Sequence, residues 1–439
     1  MDKKTLCLYF QVHQPIRLRQ YHFFDIGKSH DYYDEYSNYS FTRKIADRCY
    51  LPMNKVLMDV IAKHNGQFKV AFSISGMAIE QFKMYAPDVI ESFKALVNTG
   101  CVEILSETYS HSLASLVDAT EFKKQVKRHD DLMKEVFGVK PVTFRNTELV
   151  YSDEIGDVVA KMGFTTMLTE GARHILGWKS PNFVYTNVIN PKLKLLLKNY
   201  GLSDDIAFRF SDRAWDQWPL TADKYASWLA STAKDGEVIN LFMDYETFGE
   251  HQPAESGIFD FMYNLPEAIL KTNQFEFLTP AETAKKHQPV APLHVPFAIS
   301  WADEERDLTA WLGNELQNEA FEELYKIKSR VAALKDEAIQ KDYDCLQASD
   351  HFYYMCTKMF ADGGIHKYFS PYDTPYEAFM NYMNVLSDLI ARVNQKEKDA
   401  LKDCGEEAPK KRATRAKAVK SEDEAPKKRT GRKKTETEK

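Results

Sequence analysis

At 439 residues the chain is longer than an ordinary single domain, and its 44% apolar content suffices for a sizeable core. Residues 405–439 hold 13 Lys/Arg against 7 Asp/Glu, so +6 lies there and −12 in the remainder of a chain of net charge −6; so acidic a body is a poor general binder of nucleic acid. Six scattered cysteines without a C-x-x-C pair argue against a zinc ribbon or a disulfide framework, and no apolar run reaches the roughly 18 residues of a membrane helix.

The chain opens MDKKTLCLYFQVHQP, whose apolar stretch breaks at Gln11 and His13. That is too short for a signal-peptide core and reads as a first buried strand, so a soluble, cytoplasmic protein is expected. Further strands are expected at Phe68–Ile74, Val102–Leu105, Val142–Asn146, Thr166–Thr169, Leu193–Lys198, Val238–Asp244 and Phe275–Leu278. Between them lie helical periodicities at Met53–Asn65, Pro87–Thr99 and Thr120–Phe137. Such alternation predicts an α/β fold with a parallel sheet under helices, and seven or eight repeats suggest a closed (β/α) barrel. Two long insertions, residues 14–50 and residues 200–222 with Trp215 and Trp218, are placed where barrels build binding sites. Beyond about residue 300, Asp307–Ala333, Ala338–Phe360 and Pro375–Lys402 read as long amphipathic helices. The tail lacks aromatic residues and repeats APKKR at Ala408–Arg412 and Ala425–Arg429; it is expected to be disordered and at most weakly attractive to polyanions. The expected division is a barrel over 1–295, a helical part over 296–402 and a tail over 403–439.

Four strand ends carry groups capable of chemistry. Asp244 and Glu246, in DYETFGEH, follow the run Val238 to Met243, and two carboxylates at i and i+2 on a strand point the same way. An isolated D-x-E reads equally well as a charged loop capping the next helix. Glu148 follows Phe144-Arg145-Asn146-Thr147, where Arg145 and Asn146 can orient a carboxylate and lower its pKa; alone it reads as a helix N-terminal acid. Glu103, Glu107 and His111 share VEILSETYSH; Glu103 lies inside the apolar run and needs a partner, while His111 can meet a sugar hydroxyl, a metal or the core. His13-Gln14-Pro15 ends the first strand with fixed donors. A glycosidase needs such a set: one carboxylate ionised to attack, another protonated to release the leaving group.

The ordered segments HQP, GCVEILSETYSHSL, FRNTELVYSDEI, MDYETFGEH and SWADEERDLTAWLGNELQ resemble glycoside hydrolase family 57, closest to its cytoplasmic α-amylase-type members, over about residues 5–390. The resemblance implies a seven-stranded (β/α) barrel followed by a helical bundle, and a retaining mechanism on α-glucans such as starch, glycogen or maltooligosaccharides, without a cofactor or metal. It places the nucleophile on Glu148 and the acid/base on Asp244. It puts His13 and Glu103 around the sugar to be cleaved, Trp301, Asp303 and Asp307 in the helical contribution, and Asp205 and Arg209 of NYGLSDDIAFR in contact with substrate. His111, Arg145 and Glu246 complete the expected substrate site, with Glu246 keeping Asp244 protonated by repulsion. The same carboxylates serve 4-α-glucanotransfer or branching. Readings of another class are a metal-dependent carbohydrate hydrolase, for which His13, His111 and His251 lack H-x-x-x-H or H-x-D spacing, and a non-catalytic glucan-binding protein.

Overall fold

The computed structural model describes residues 3–358 and 370–403, and the tail with its APKKR repeats lies outside the described residues. Among the described residues ten strands form: β1 (Lys4–Val12), β2 (Val70–Ile74), β3 (Val102–Ile104), β4 (Thr143–Arg145), β5 (Thr166–Glu170), β6 (Tyr185–Asn187), β7 (Lys194–Lys198), β8 (Val238–Asp244), β9 (Phe275–Phe277) and β10 (Ala291–Leu293). Parallel pairing runs β8–β1–β2–β3 on one arc and β4–β5–β7 on the other. A parallel bridge from Ser106 to Phe144 joins the arcs on one side. On the other, Asn199 N donates to Asn240 O at 2.9 Å and Asn240 Nδ2 to Leu197 O at 2.9 Å. Seven parallel strands therefore close into a barrel.

The expected strand at Phe275–Leu278 forms as β9 but is not a stave: it flanks only the first residues of β1. β6 is antiparallel to β7 and carries β10, so both also stand off the ring. Alternation along β1 places Cys7 and Tyr9 inside the barrel with Phe242, Leu168 and Leu196, and turns Leu8, Phe10 and Val12 out under the helices. On β8 the same period turns Asn240, Phe242 and Asp244 inward.

The helices of the barrel follow local signals. Ala119–Phe137 starts where the Asp118 carboxylate accepts from Thr120 N and Glu121 N, and stops at left-handed Gly138. Past residue 300 two of the three expected long helices are broken. Asp307–Ala333 divides into Thr309–Leu312, Glu315–Lys326 and Lys328–Leu334, because Asn314 and Gln317 form a capping box that starts a new helix. Ala338–Phe360, whose last two residues lie outside the described residues, divides into Glu337–Leu346 and Ser349–Tyr353, because Ala348 leaves the helix to bridge Ser112. Pro375–Asp403 is continuous. Residues through Asn394 belong to one compact unit that holds the barrel and most of the helical part; a second begins at Gln395. Among the described residues no helix is long and apolar enough to cross a membrane.

Candidate active site

The site lies at the C-terminal ends of the strands. Asp244 is the last residue of β8 and, by the alternation of that strand, faces the barrel axis. Glu148 follows β4 on a short turn, Thr147–Leu149, in which Glu148 and Leu149 both have left-handed backbones (φ 55° and 53°). That turn is fixed from outside the barrel: Tyr151 pairs antiparallel with Ile299, and Trp301 N donates to Glu148 O at 3.1 Å. The indole of Trp301 is thereby delivered to the carboxylate, where Nε1–H donates to Oε2 at 2.6 Å. His111 Nε2 meets the other oxygen at 3.1 Å, and His111 Nδ1 meets Glu107 Oε2 at 2.9 Å.

This geometry sets the two carboxyls apart. Burial works against ionisation of Glu148, but the hydrogen bond and charge of His111, then Arg145 and Trp301, bring its pKa below the ordinary value. His111 itself, buried yet held between two carboxylates, is raised to about 9 and is an imidazolium at neutral pH. Its other partner, Glu107, is held down at about 2 against its burial. Asp244 accepts no hydrogen bond from any described residue; burial, then the negative charge of Glu148, lift it to about 6. The site thus holds one ionised carboxylate and, up to about pH 6, one protonated carboxyl, the pair that glycosidic cleavage uses.

The remaining expected residues divide. Arg145 is fully buried in the barrel beneath the pair, 4.9 Å from the Trp301 ring centre, and lowers the pKa of both carboxyls. His13 bonds Ser75 Oγ at 2.6 Å and Asp350 Oδ2 at 2.9 Å, and its ring stacks on His111 at 4.0 Å; burial and the His111 charge keep it neutral. Glu103 is a correction. Its carboxylate accepts from Thr143 Oγ1 at 2.5 Å and from Ala281 N at 2.9 Å, capping the helix Pro280–Lys286 that follows β9, and it is Glu107 that bonds His111 beside the carboxyl pair. Glu246 is a second correction. It sits beyond β8 on the turn Tyr245–Thr247, where its carboxyl receives Tyr50 OH and Gln14 Nε2, and burial, then Asp244, raise it to about 8. With the higher of the two values it is largely neutral where Asp244 titrates, so it does not keep Asp244 protonated by repulsion.

Asp205 and Arg209 pair with each other (2.8 Å, Nε to Oδ1) at the C-terminal end of the helix Tyr200–Ala207, and it is the neighbouring Asp204 that reaches Lys198 at 3.2 Å beside the site. Asp303 pairs with Lys358 Nζ at 3.4 Å, and Asp307 is spent on Thr309 N and Oγ1 at the start of a helix. Residues that sequence reasoning missed are Asp350, Glu170, Lys198 and Arg306. Glu170 and Lys198 end the apolar strands TMLTE and KLLLK, the same signal that marks Asp244; Asp350 and Arg306 carry none. Among the described residues no three His, Cys, Asp or Glu side chains group as a cation site.

The model of glycosyl hydrolase family 57 matches residues 7–296. A Methanocaldococcus jannaschii protein whose name proposes an α-amylase is 45% identical over 395 residues, 86% of this chain and 82% of the relative. A family 57 branching enzyme from Thermococcus kodakaraensis shares the fold at TM-score 0.60 and 12% identity, over 90% of this chain and 94% of that one. An α-amylase from Thermotoga maritima does so at TM-score 0.55 and 11% identity, over 90% and 96%. With the closed seven-stranded barrel and its paired carboxyls, these matches place the chain in glycosyl hydrolase family 57, as a glycosidase.

Proposed function

We propose that this glycosidase cleaves α-1,4-glucosidic bonds in starch- or glycogen-type glucans and maltooligosaccharides with retention of configuration. Glu148 attacks the anomeric carbon as the bond to the leaving oxygen breaks, and Asp244 protonates that oxygen. Asp244, now ionised, takes a proton from water; the water oxygen bonds to the anomeric carbon and Glu148 departs as carboxylate. The observation that carries this reading is the asymmetry of the pair: two donors hold Glu148 ionised, while Asp244 has none and is raised to about 6. The substrate class is supported by the names of the relatives, an α-amylase among them. In this reading residues 296–402 complete the site of the 1–295 barrel, since Trp301 and Asp350 come from them. The free buried thiols, such as Cys7, Cys49 and Cys345, favour a reducing cytoplasm.

Incubation with maltoheptaose tests the proposal. Shorter maltooligosaccharides formed with initial retention at the new reducing end are expected, and Glu148→Gln and Asp244→Asn should each lose at least about a thousandfold in kcat while staying folded. Products longer than the substrate would assign transfer, with a sugar hydroxyl in place of water. Initial inversion would withdraw Glu148 as a nucleophile.

A further inference from the structure

A second group of buried charges lies beside the carboxyl pair, at the ends of β5 and β7. Glu170 is fully enclosed: one oxygen accepts Gly171 N at 2.7 Å, and the other lies 3.9 Å from Lys198 Nζ and 4.0 Å from Arg306 Nη1. Asp204 completes the group, 3.2 Å from Lys198 and 3.6 Å from Arg306 Nη2. Two cations and two anions therefore neutralise one another where solvent does not reach Glu170.

Both cations converge on Trp301. Lys198 Nζ stands 5.2 Å from the indole centre, within cation–π range, and Arg306 Nη1 donates to the Trp301 carbonyl. Arg306 also packs its guanidinium on the Tyr200 ring at 5.0 Å. The intervening loop needs such a hold, because Asp303 and Arg306 have left-handed backbones, and Ser300 N closes the loop onto Arg306 O at 3.1 Å. Trp301 is one of the two side chains that hydrogen-bond Glu148. A loose indole would leave Oε2 without its donor.

We propose that Glu170, Lys198, Asp204 and Arg306 are positioning residues, a buried neutral ion cluster that fixes the Trp301 indole N–H on the Glu148 carboxylate. Glu170 is enclosed and touches no reacting atom, so it acts through Trp301, whereas the charge of Lys198 also lowers the pKa of Asp244. The proposal rests on the reading of Glu148 as nucleophile.

A double-mutant cycle tests it, with maltoheptaose cleavage followed at pH 7.5, above the value of about 7 to which burial lifts Glu170 against its cations. Glu170→Gln is expected to lower kcat about tenfold with KM changed less than about twofold, and Glu170→Asp, which keeps the charge, to recover most of the loss. Trp301→Phe, which keeps a ring but removes the N–H, should lower kcat about 10- to 100-fold. In the Trp301→Phe background Glu170→Gln should cost less than about a further twofold. Should Glu170→Gln leave its cations too unbalanced to fold, Arg306→Lys carries the same cycle, since it keeps the charge and loses the fork. Full multiplicative losses in the double variants would overturn the clamp. The nucleophile is checked separately by adding azide to Glu148→Gly: rescued turnover with formation of a glycosyl azide upholds Glu148 whatever the cycle gives, and substantial activity in Glu148→Gln overturns the nucleophile and the clamp together.

Discussion

His111→Asn is the substitution that most directly probes the charge pattern of the site. His111 has a left-handed backbone (φ 52°), and Asn accepts that conformation more readily than most residues, so the change removes the ring without adding backbone strain. Raising an imidazole from its ordinary 6.5 to about 9 corresponds to about 3 kcal/mol favouring the charged form. A group whose folded pKa is raised contributes stability that is complete below the unfolded value and lost as pH rises through the folded one. The His111 contribution should therefore be full below pH 6.5 and gone above about pH 9. Its partner Glu107, depressed to about 2, contributes above pH 4.5 and loses that contribution as pH falls toward 2. The melting temperatures of parent and variant should differ most between pH 4.5 and 6.5 and draw together at pH 10. Activity should fall about 10- to 100-fold at the optimum, the loss of one charge-assisted hydrogen bond to Glu148. The acid limb of the rate profile should also move to higher pH, because Glu148 no longer has the cation that depresses its pKa. A melting difference equal at pH 6 and pH 10, or an unmoved acid limb, would show that His111 is not the cation inferred here.

Two further outcomes follow from the same electrostatics. The kcat/KM profile for maltooligosaccharide cleavage should fall on its alkaline side through about pH 6 as Asp244 loses its proton, and on its acid side below the ordinary carboxylate value as Glu148 gains one; an alkaline limb near 8 would transfer the acid role to Glu246. Glu103→Gln should leave kcat/KM within about threefold while lowering stability by about 1–2 kcal/mol, the cost of a weakened buried cap; a KM raised more than tenfold would restore Glu103 to the substrate site.

The barrel was legible because its strands are short continuous apolar runs between helical periodicities, so all eight expected strands form. β6 and β10 were not, since the three residues YTN and APL carry no period and exist only by pairing with β7 and with each other. The carboxyl pair was legible for one reason: Glu148 and Asp244 each follow an apolar strand, where barrel chemistry sits. That Glu107 and not Glu103 meets His111 was not, because β3 ends at Ile104 and strand alternation says nothing about a side chain three residues past that end. The breaks in the helical region were readable in part, since N-x-x-Q at Asn314 is a capping box that amphipathic periodicity conceals. The break at Ala348 depends on pairing with Ser112, far away in sequence, and no local signal reports it.

Backbone strain gives a physical reason for the helical region to pack on the carboxyl pair. Eight described non-glycine residues have positive φ. Asn65, Asn273 and Lys335 lie just past helix ends, where a left-handed residue is an ordinary stop. The other five, His111, Glu148, Leu149, Asp303 and Arg306, belong to the catalytic turns or to the loop that carries Trp301. Each costs on the order of 1 kcal/mol or more, and such residues persist only where the surroundings over-determine them. Here part of the surroundings comes from beyond residue 295: Ser349 N donates to His111 O at 3.0 Å, Trp301 N to Glu148 O, and Ile299 pairs with Tyr151. The barrel supplies the carboxyls and part of the hold on the Glu148 turn, through Asn146 Nδ2 on Val150 O and Thr108 on Thr147, and residues past 295 add the bonds to Glu148 O, Tyr151 and His111 O. In the proposed mechanism the helical region therefore contributes through its backbone as much as through Trp301 and Asp350, because it bonds to the strained turns that carry His111 and Glu148.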